Sequence, residues 1–75
     1  MHRERVESEA LSSVGYEPHR RVLEIEFHSG EIYRYFDVPP ELHVGLMSAD
    51  SIGHYFAQHI RNAGFDVQHV GADDE

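Results

Sequence analysis

Between Val22 and Phe27 apolar and acidic residues alternate, with Leu23, Ile25 and Phe27 on one side and Glu24 and Glu26 on the other. That period of two is the pattern of a strand with one covered and one solvated face. His28-Ser29-Gly30 follows as a turn, with the glycine free to take positive φ. The next strand, 31–38, has apolar residues on both faces, so the pairing across the turn decides its orientation. A two-residue loop sets Ile25 against Arg34, a poor pair. A type I turn with a bulge at Gly30 instead pairs Ile25 with Tyr33, Leu23 with Tyr35 and Glu24 with Arg34. The last is a cross-strand charge pair that contributes roughly 0.2–1 kcal/mol. The bulged register is therefore the expected one. It puts Tyr33 and Tyr35 on the Leu23/Ile25/Phe27 face and Arg34 on the other, because a one-residue slip inverts every side chain.

Upstream, Leu11, Val14 and Tyr16 anchor an extended segment that predicts a strand over 10–16, closed by a turn at Glu17-Pro18-His19-Arg20. Downstream, Pro39-Pro40 stops the sheet and opens a helix over 40–47, with Leu42, Leu46 and Met47 at helical spacing. Gly45 lowers its intrinsic stability by about 1 kcal/mol relative to alanine. Asp50 and Ser51 are N-cap residue types before a second helix over 52–63, striped by Ile52, Phe56 and Ile60 and ended by Gly64. Phe65, Val67 and Val70 alternate, which allows one further short edge strand. The expected fold is α+β: a three-stranded antiparallel meander followed by two helices packed on its apolar face. Residues 1–7 are charged and aperiodic, predicting a flexible N-terminus, 8–70 form one domain, and 71–75 read as an acidic unstructured tail.

Composition narrows the functional classes. Seventy-five residues without cysteine exclude a disulfide framework and a thiolate zinc site, so packing or a partner chain must supply the stability. The net charge is -8, from 14 acidic and 6 basic residues, all of the latter arginine. This balance opposes non-specific attraction to phosphate backbones but leaves room for a local arginine site. No apolar run approaches the ~18 residues of a membrane span, and the opening MHRERVESE lacks a signal-peptide core. The expected location is the cytoplasm.

Seven histidines raise the question of a metal. His54 and His59, five apart, point about 140° from each other on a helix and make a poor chelating pair. Solvated surface histidines account for the set better, and no metal or cofactor is expected. Ser51 and His54 could touch at a helix start, but capping explains Ser51 without catalysis, and no phosphate-binding glycine loop follows a strand. The chain is not expected to be an enzyme. Tyr33, Arg34 and Tyr35 combine the rings and charge that bind single-stranded nucleic acid, although the bulged register favours both rings as core. Ser51 and Gly53 at the second helix start are a candidate anion site, which Asp50 would oppose.

The order of short motifs resembles the KTSC family, small domains found at the C-terminus of some lysyl-tRNA synthetases and as stand-alone bacterial proteins. The matching residues are Ser8, Leu11 and Val14-Gly15-Tyr16, then Leu23-x-Ile25-x-Phe27 and Gly30. Tyr33-x-Tyr35, Val38-Pro39, Ala49-x-Ser51-x-Gly53-x-Tyr55-Phe56 and Ile60-Arg61 complete them. The chain departs from the family pattern at Ala57-Gln58-His59, where an Asn is usual, and at Gly64-Phe65-Asp66, where a Tyr-Pro is usual. The resemblance implies a role in RNA binding and no catalytic residues. Two expectations follow. One is a nucleic-acid-binding module with Arg34, Arg61, Arg20 and Arg21 as phosphate contacts. The other is a protein-interaction module, docking through an edge strand or the helices, with a homodimer as one form.

Overall fold

The computed structural model describes residues 2–72. Five antiparallel strands lie in sequence order: β1 (Glu4–Arg5), β2 (Leu11–Glu17), β3 (Val22–Phe27), β4 (Glu31–Tyr35) and β5 (Val67–Ala72). Between β4 and β5 come α1 (Pro40–Ser48) and α2 (Ile52–Phe56), which continues as a π-helical turn over Ala57–Arg61. The α+β architecture is as expected, but the three-stranded meander is corrected to five strands.

The central hairpin has the bulged register. Leu23 faces Tyr35, Glu24 faces Arg34 and Ile25 faces Tyr33, with Gly30 at φ 93° and its N–H donating to the Phe27 carbonyl at 2.9 Å. β5 is the further edge strand that Phe65, Val67 and Val70 allowed, whereas β1 escaped the pattern for a physical reason. β1 is only two residues long and exposed, and it pairs Arg5 with Ser13 of β2 within a segment expected to be flexible. β5 is held by its backbone ladder to β4 while Val67 and Val70 stay exposed, so burial leaves little mark on its sequence. Gly71 and Ala72 belong to β5 rather than to a tail. The remaining tail residues, 73–75, lie outside the described residues.

The core forms where the alternating face of the sheet meets the helices. Leu11, Val14, Leu23, Ile25 and Tyr35 from the strands close on Val38, Leu46, Phe56 and Ile60. Phe56 is the keystone, its ring edge-on to Phe27 at 5.6 Å and to Tyr35 at 5.5 Å. The second helix was expected to stay regular to residue 63. Its last turn instead widens, with the Asn62 N–H reaching the Ala57 carbonyl at 3.2 Å, and Phe56 and Ile60 both remain buried. Gly45 lies directly beneath the Tyr55 ring, so a side chain there would overlap it. The glycine therefore allows the two helices to approach closely.

Among the described residues two non-glycine residues have positive φ, Arg21 at 56° and Asp37 at 59°. They sit at the β2–β3 turn and the β4–α1 connection, which are tied together because the Val38 N–H donates to the Arg21 carbonyl at 2.9 Å. The Tyr16 hydroxyl donates to the Val38 carbonyl at 2.6 Å. These bonds fix one end of the sheet.

Candidate functional site

Alternation sends Ser13, Glu24, Glu26 and Arg34 to the sheet face away from the helices. β1 delivers Arg3 to the same face, since its neighbour-but-one Arg5 stands opposite Ser13. There Glu24 is only 2% exposed, an acid buried without a helix above it. One of its oxygens, Oε1, accepts from Arg34 Nε at 2.7 Å, and the other is paired with Arg3 Nη1. Arg3 Nε also donates to the Ser13 hydroxyl at 2.9 Å, which in turn donates to Glu26 at 2.8 Å. Burial pushes the Glu24 carboxyl up, but the hydrogen bonds and charges of Arg34 and Arg3 outweigh it and hold the group below its ordinary range.

Beside this network, at the end tied down through Val38, opens a groove of about 470 Å³. Arg34 and Arg20 reach it from β4 and the β2–β3 turn, and His2 from the N-terminus. Tyr16, Val22 and Phe36 also line it, and Glu17 is the one acid among its described residues. The Tyr16 hydroxyl is kept protonated to higher pH, chiefly by burial, with nearby Arg21 opposing. His43 of α1 stacks on Tyr16 at 4.8 Å, and burial holds its imidazole below the ordinary histidine value.

The expected contacts do not all converge. Arg20 and Arg34 share the groove. Arg21 is used through its backbone, and Arg61 lies across the sheet, its guanidinium 5.7 Å from the centre of the Phe56 ring. Tyr35 is corrected as a stacking contact. Its ring is inside the core, where burial raises the phenol pKa, and a ligand cannot reach it. Tyr33 is half-buried on the helix-side face, edge-on to Phe27 and tilted against His69, away from Arg34.

Ser51 and Gly53 line a second hollow, of about 740 Å³, together with Glu7, Glu9 and Asp50. Three acids there oppose an anion. The Ser51 hydroxyl is a cap, accepting from the His54 backbone N–H at 3.3 Å. Among the described residues no group of three or more acids and histidines could hold a metal, and no helix is long and apolar enough to cross a membrane.

Sequence reasoning missed Arg3, His2 and Phe36. The available signal was the alternation of Arg3 and Arg5 against Glu4 and Val6, a strand period in miniature. Of the histidines read as solvated, His43 is half-buried on Tyr16, while His28, His59 and His69 are exposed, the last two against Tyr55 and Tyr33.

Comparison with known proteins places this geometry. The KTSC domain model matches residues 7–65. An uncharacterised protein of Stutzerimonas stutzeri is 48% identical over 58 residues, covering 77% of this chain and 82% of that protein. A lysine–tRNA ligase of Nostoc punctiforme is 38% identical over 55 residues, covering 73% of this chain but 10% of the ligase. The crystal structure of a KTSC domain protein from Yersinia pestis matches with a TM-score of 0.88 at 37% identity, covering 93% of this chain and 97% of that one. The chain belongs to the KTSC domain family.

Proposed function

We propose that this protein is a cytoplasmic, non-catalytic accessory module that binds single-stranded RNA in the groove beside Glu24. One observation carries the reading: in a chain of net charge -8, Arg20, Arg34, Tyr16 and Phe36 line one hollow with a single acid among its described residues. Arginine pairs with phosphate, and an aromatic face stacks a base with about 1–3 kcal/mol of binding energy per base. A related stretch within a lysine–tRNA ligase supports an RNA setting, since that protein's substrate is a tRNA by name. The acidic remainder of the surface limits binding to this patch and makes it weak and salt-sensitive.

Fluorescence anisotropy with a short labelled single-stranded RNA, over a series of salt concentrations, tests the reading. Two phosphate contacts give a slope of log affinity against log salt near -1.4, at about -0.7 per contact. Arg34→Glu and Arg20→Glu should each abolish binding. Absence of binding at low salt, or binding indifferent to both reversals, refutes it.

A second reading, docking of a protein strand, is favoured by the outer position of β5 with Val67 and Val70 exposed. Its simplest form is a homodimer, which light scattering after size-exclusion chromatography would reveal. Monomeric behaviour, with no protein recovered by the immobilised chain, counts against it.

A further inference from the structure

The groove arginine is held by a carboxylate that water scarcely reaches. Glu24 takes only the Nε edge of Arg34, through Oε1 at 2.7 Å. The four Nη hydrogens of Arg34 keep no partner among the described residues, and its side chain is 38% exposed where it lines the groove. A guanidinium is a rigid planar fork, so fixing Nε fixes the direction of both Nη groups. The second Glu24 oxygen is neutralised by Arg3, itself anchored on Ser13 and 3.6 Å from Glu26.

We propose that Glu24 and Arg3 are positioning residues for ligand binding: the buried carboxylate holds Arg34 by its Nε edge and leaves the Nη edge for a phosphate group, while Arg3 cancels the charge that would repel that phosphate. The inference rests on the RNA-binding reading and adds the means by which an acidic protein presents one arginine to an anion. Arg3 and Arg34 balance the charges of Glu24 and Glu26, so these four residues add no net charge beside the groove. Orientation is what they supply. β1 thereby acquires a role out of proportion to its two residues, because it delivers Arg3.

The sign of one substitution separates positioning from bulk electrostatics. Glu24→Gln removes a negative charge, so simple electrostatics predicts tighter RNA binding. Positioning predicts weaker binding, by about tenfold, the factor that corresponds to one charge-assisted hydrogen bond. The salt slope should also shrink by about 0.7 as one phosphate contact is lost. Arg34→Lys keeps the charge but replaces the planar fork with a single ammonium on a flexible stem, so the direction fixed by Glu24 is lost and it should show the same loss. Arg3→Gln should weaken binding too, since the second Glu24 oxygen then faces the ligand uncompensated. Circular dichroism melts establish that each variant is folded, and if Glu24→Gln is not, Arg34→Lys decides. Wild-type binding that Arg34→Glu abolishes, together with unchanged or tighter binding by Glu24→Gln or Arg34→Lys, overturns the positioning role and leaves the groove reading standing. Failure of the wild type to bind the RNA overturns both.

Discussion

Gly45→Ala sets local propensity against tertiary packing, and the two predict opposite signs. In a solvated helix the change stabilises by about 1 kcal/mol, because alanine loses less backbone freedom on folding. In this protein a Cβ at position 45 would overlap the Tyr55 hydroxyl, lie 2.6 Å from Cζ and reach 3.1 Å from Cε2. Ordinary carbon contacts are about 3.5–4.0 Å, so an ångström of displacement is required. Swinging the ring away would give up its packing against His59, where the centroids are 4.4 Å apart. Overpacking of this kind costs about 1–3 kcal/mol. Given the severity of the overlap we take the upper part of that range, which leaves a net destabilisation of about 1–2 kcal/mol after the propensity gain. For a domain of this size each kcal/mol lowers Tm by roughly 4–8 °C.

Thermal melts followed by circular dichroism measure the effect, and a double-mutant cycle with Tyr55→Ala assigns it. Without the ring, Gly45→Ala should recover its stabilising sign, so the two changes should couple by about 2–3 kcal/mol. A higher Tm for Gly45→Ala in the wild-type background, or additive effects in the cycle, would refute the close approach of α1 to α2.

Acid should destabilise the protein in two steps. His43 has a lowered folded-state pKa, so below its ordinary 6.5 the unfolded chain takes up the proton first, and stability falls as pH drops through that window. Glu24 is lowered from 4.5, so its contribution is complete above that value and is lost as pH falls through the folded-state pKa. Urea midpoints recorded from pH 7.5 downward should show both losses; His43→Gln should remove the first, and a midpoint constant across the whole range would contradict both assignments. Ser51→Ala should cost about 1 kcal/mol by leaving the His54 N–H uncapped, measured by urea unfolding, with RNA affinity unchanged; a lost affinity in a stable variant would restore the helix start as a ligand site.

The central hairpin was legible because its information is local. Strict alternation, a glycine at the turn and one oppositely charged pair sufficed to choose Leu23–Tyr35 over the slipped alternative. The start of α1 at Pro40 and the Ser51 cap were legible for the same reason: each is a backbone requirement met by the residue itself. Tyr55 and His59, four apart on one helix face, could also have been paired from their spacing. Arg3 could not be assigned from the chain, because its partner Glu24 is 21 residues away and the strand that aligns them is two residues long.

The candidate site divides along the same line. Alternation in β3 together with the turn register put Glu24 and Arg34 on the face opposite the core, and Arg20 stood in the adjoining turn. It could say neither that Glu24 is buried nor that Arg61 is remote from the others, since both depend on which segments fold over which face. His2, Tyr16, Arg20 and Phe36 meet only because β1 pairs with β2 and Val38 ties the Arg21 turn to the start of α1. Residue periodicity records how one segment divides its surface between oil and water. Contacts between distant segments are selected by the global packing of all of them, and it is there that a scattered set of arginines and rings becomes a groove.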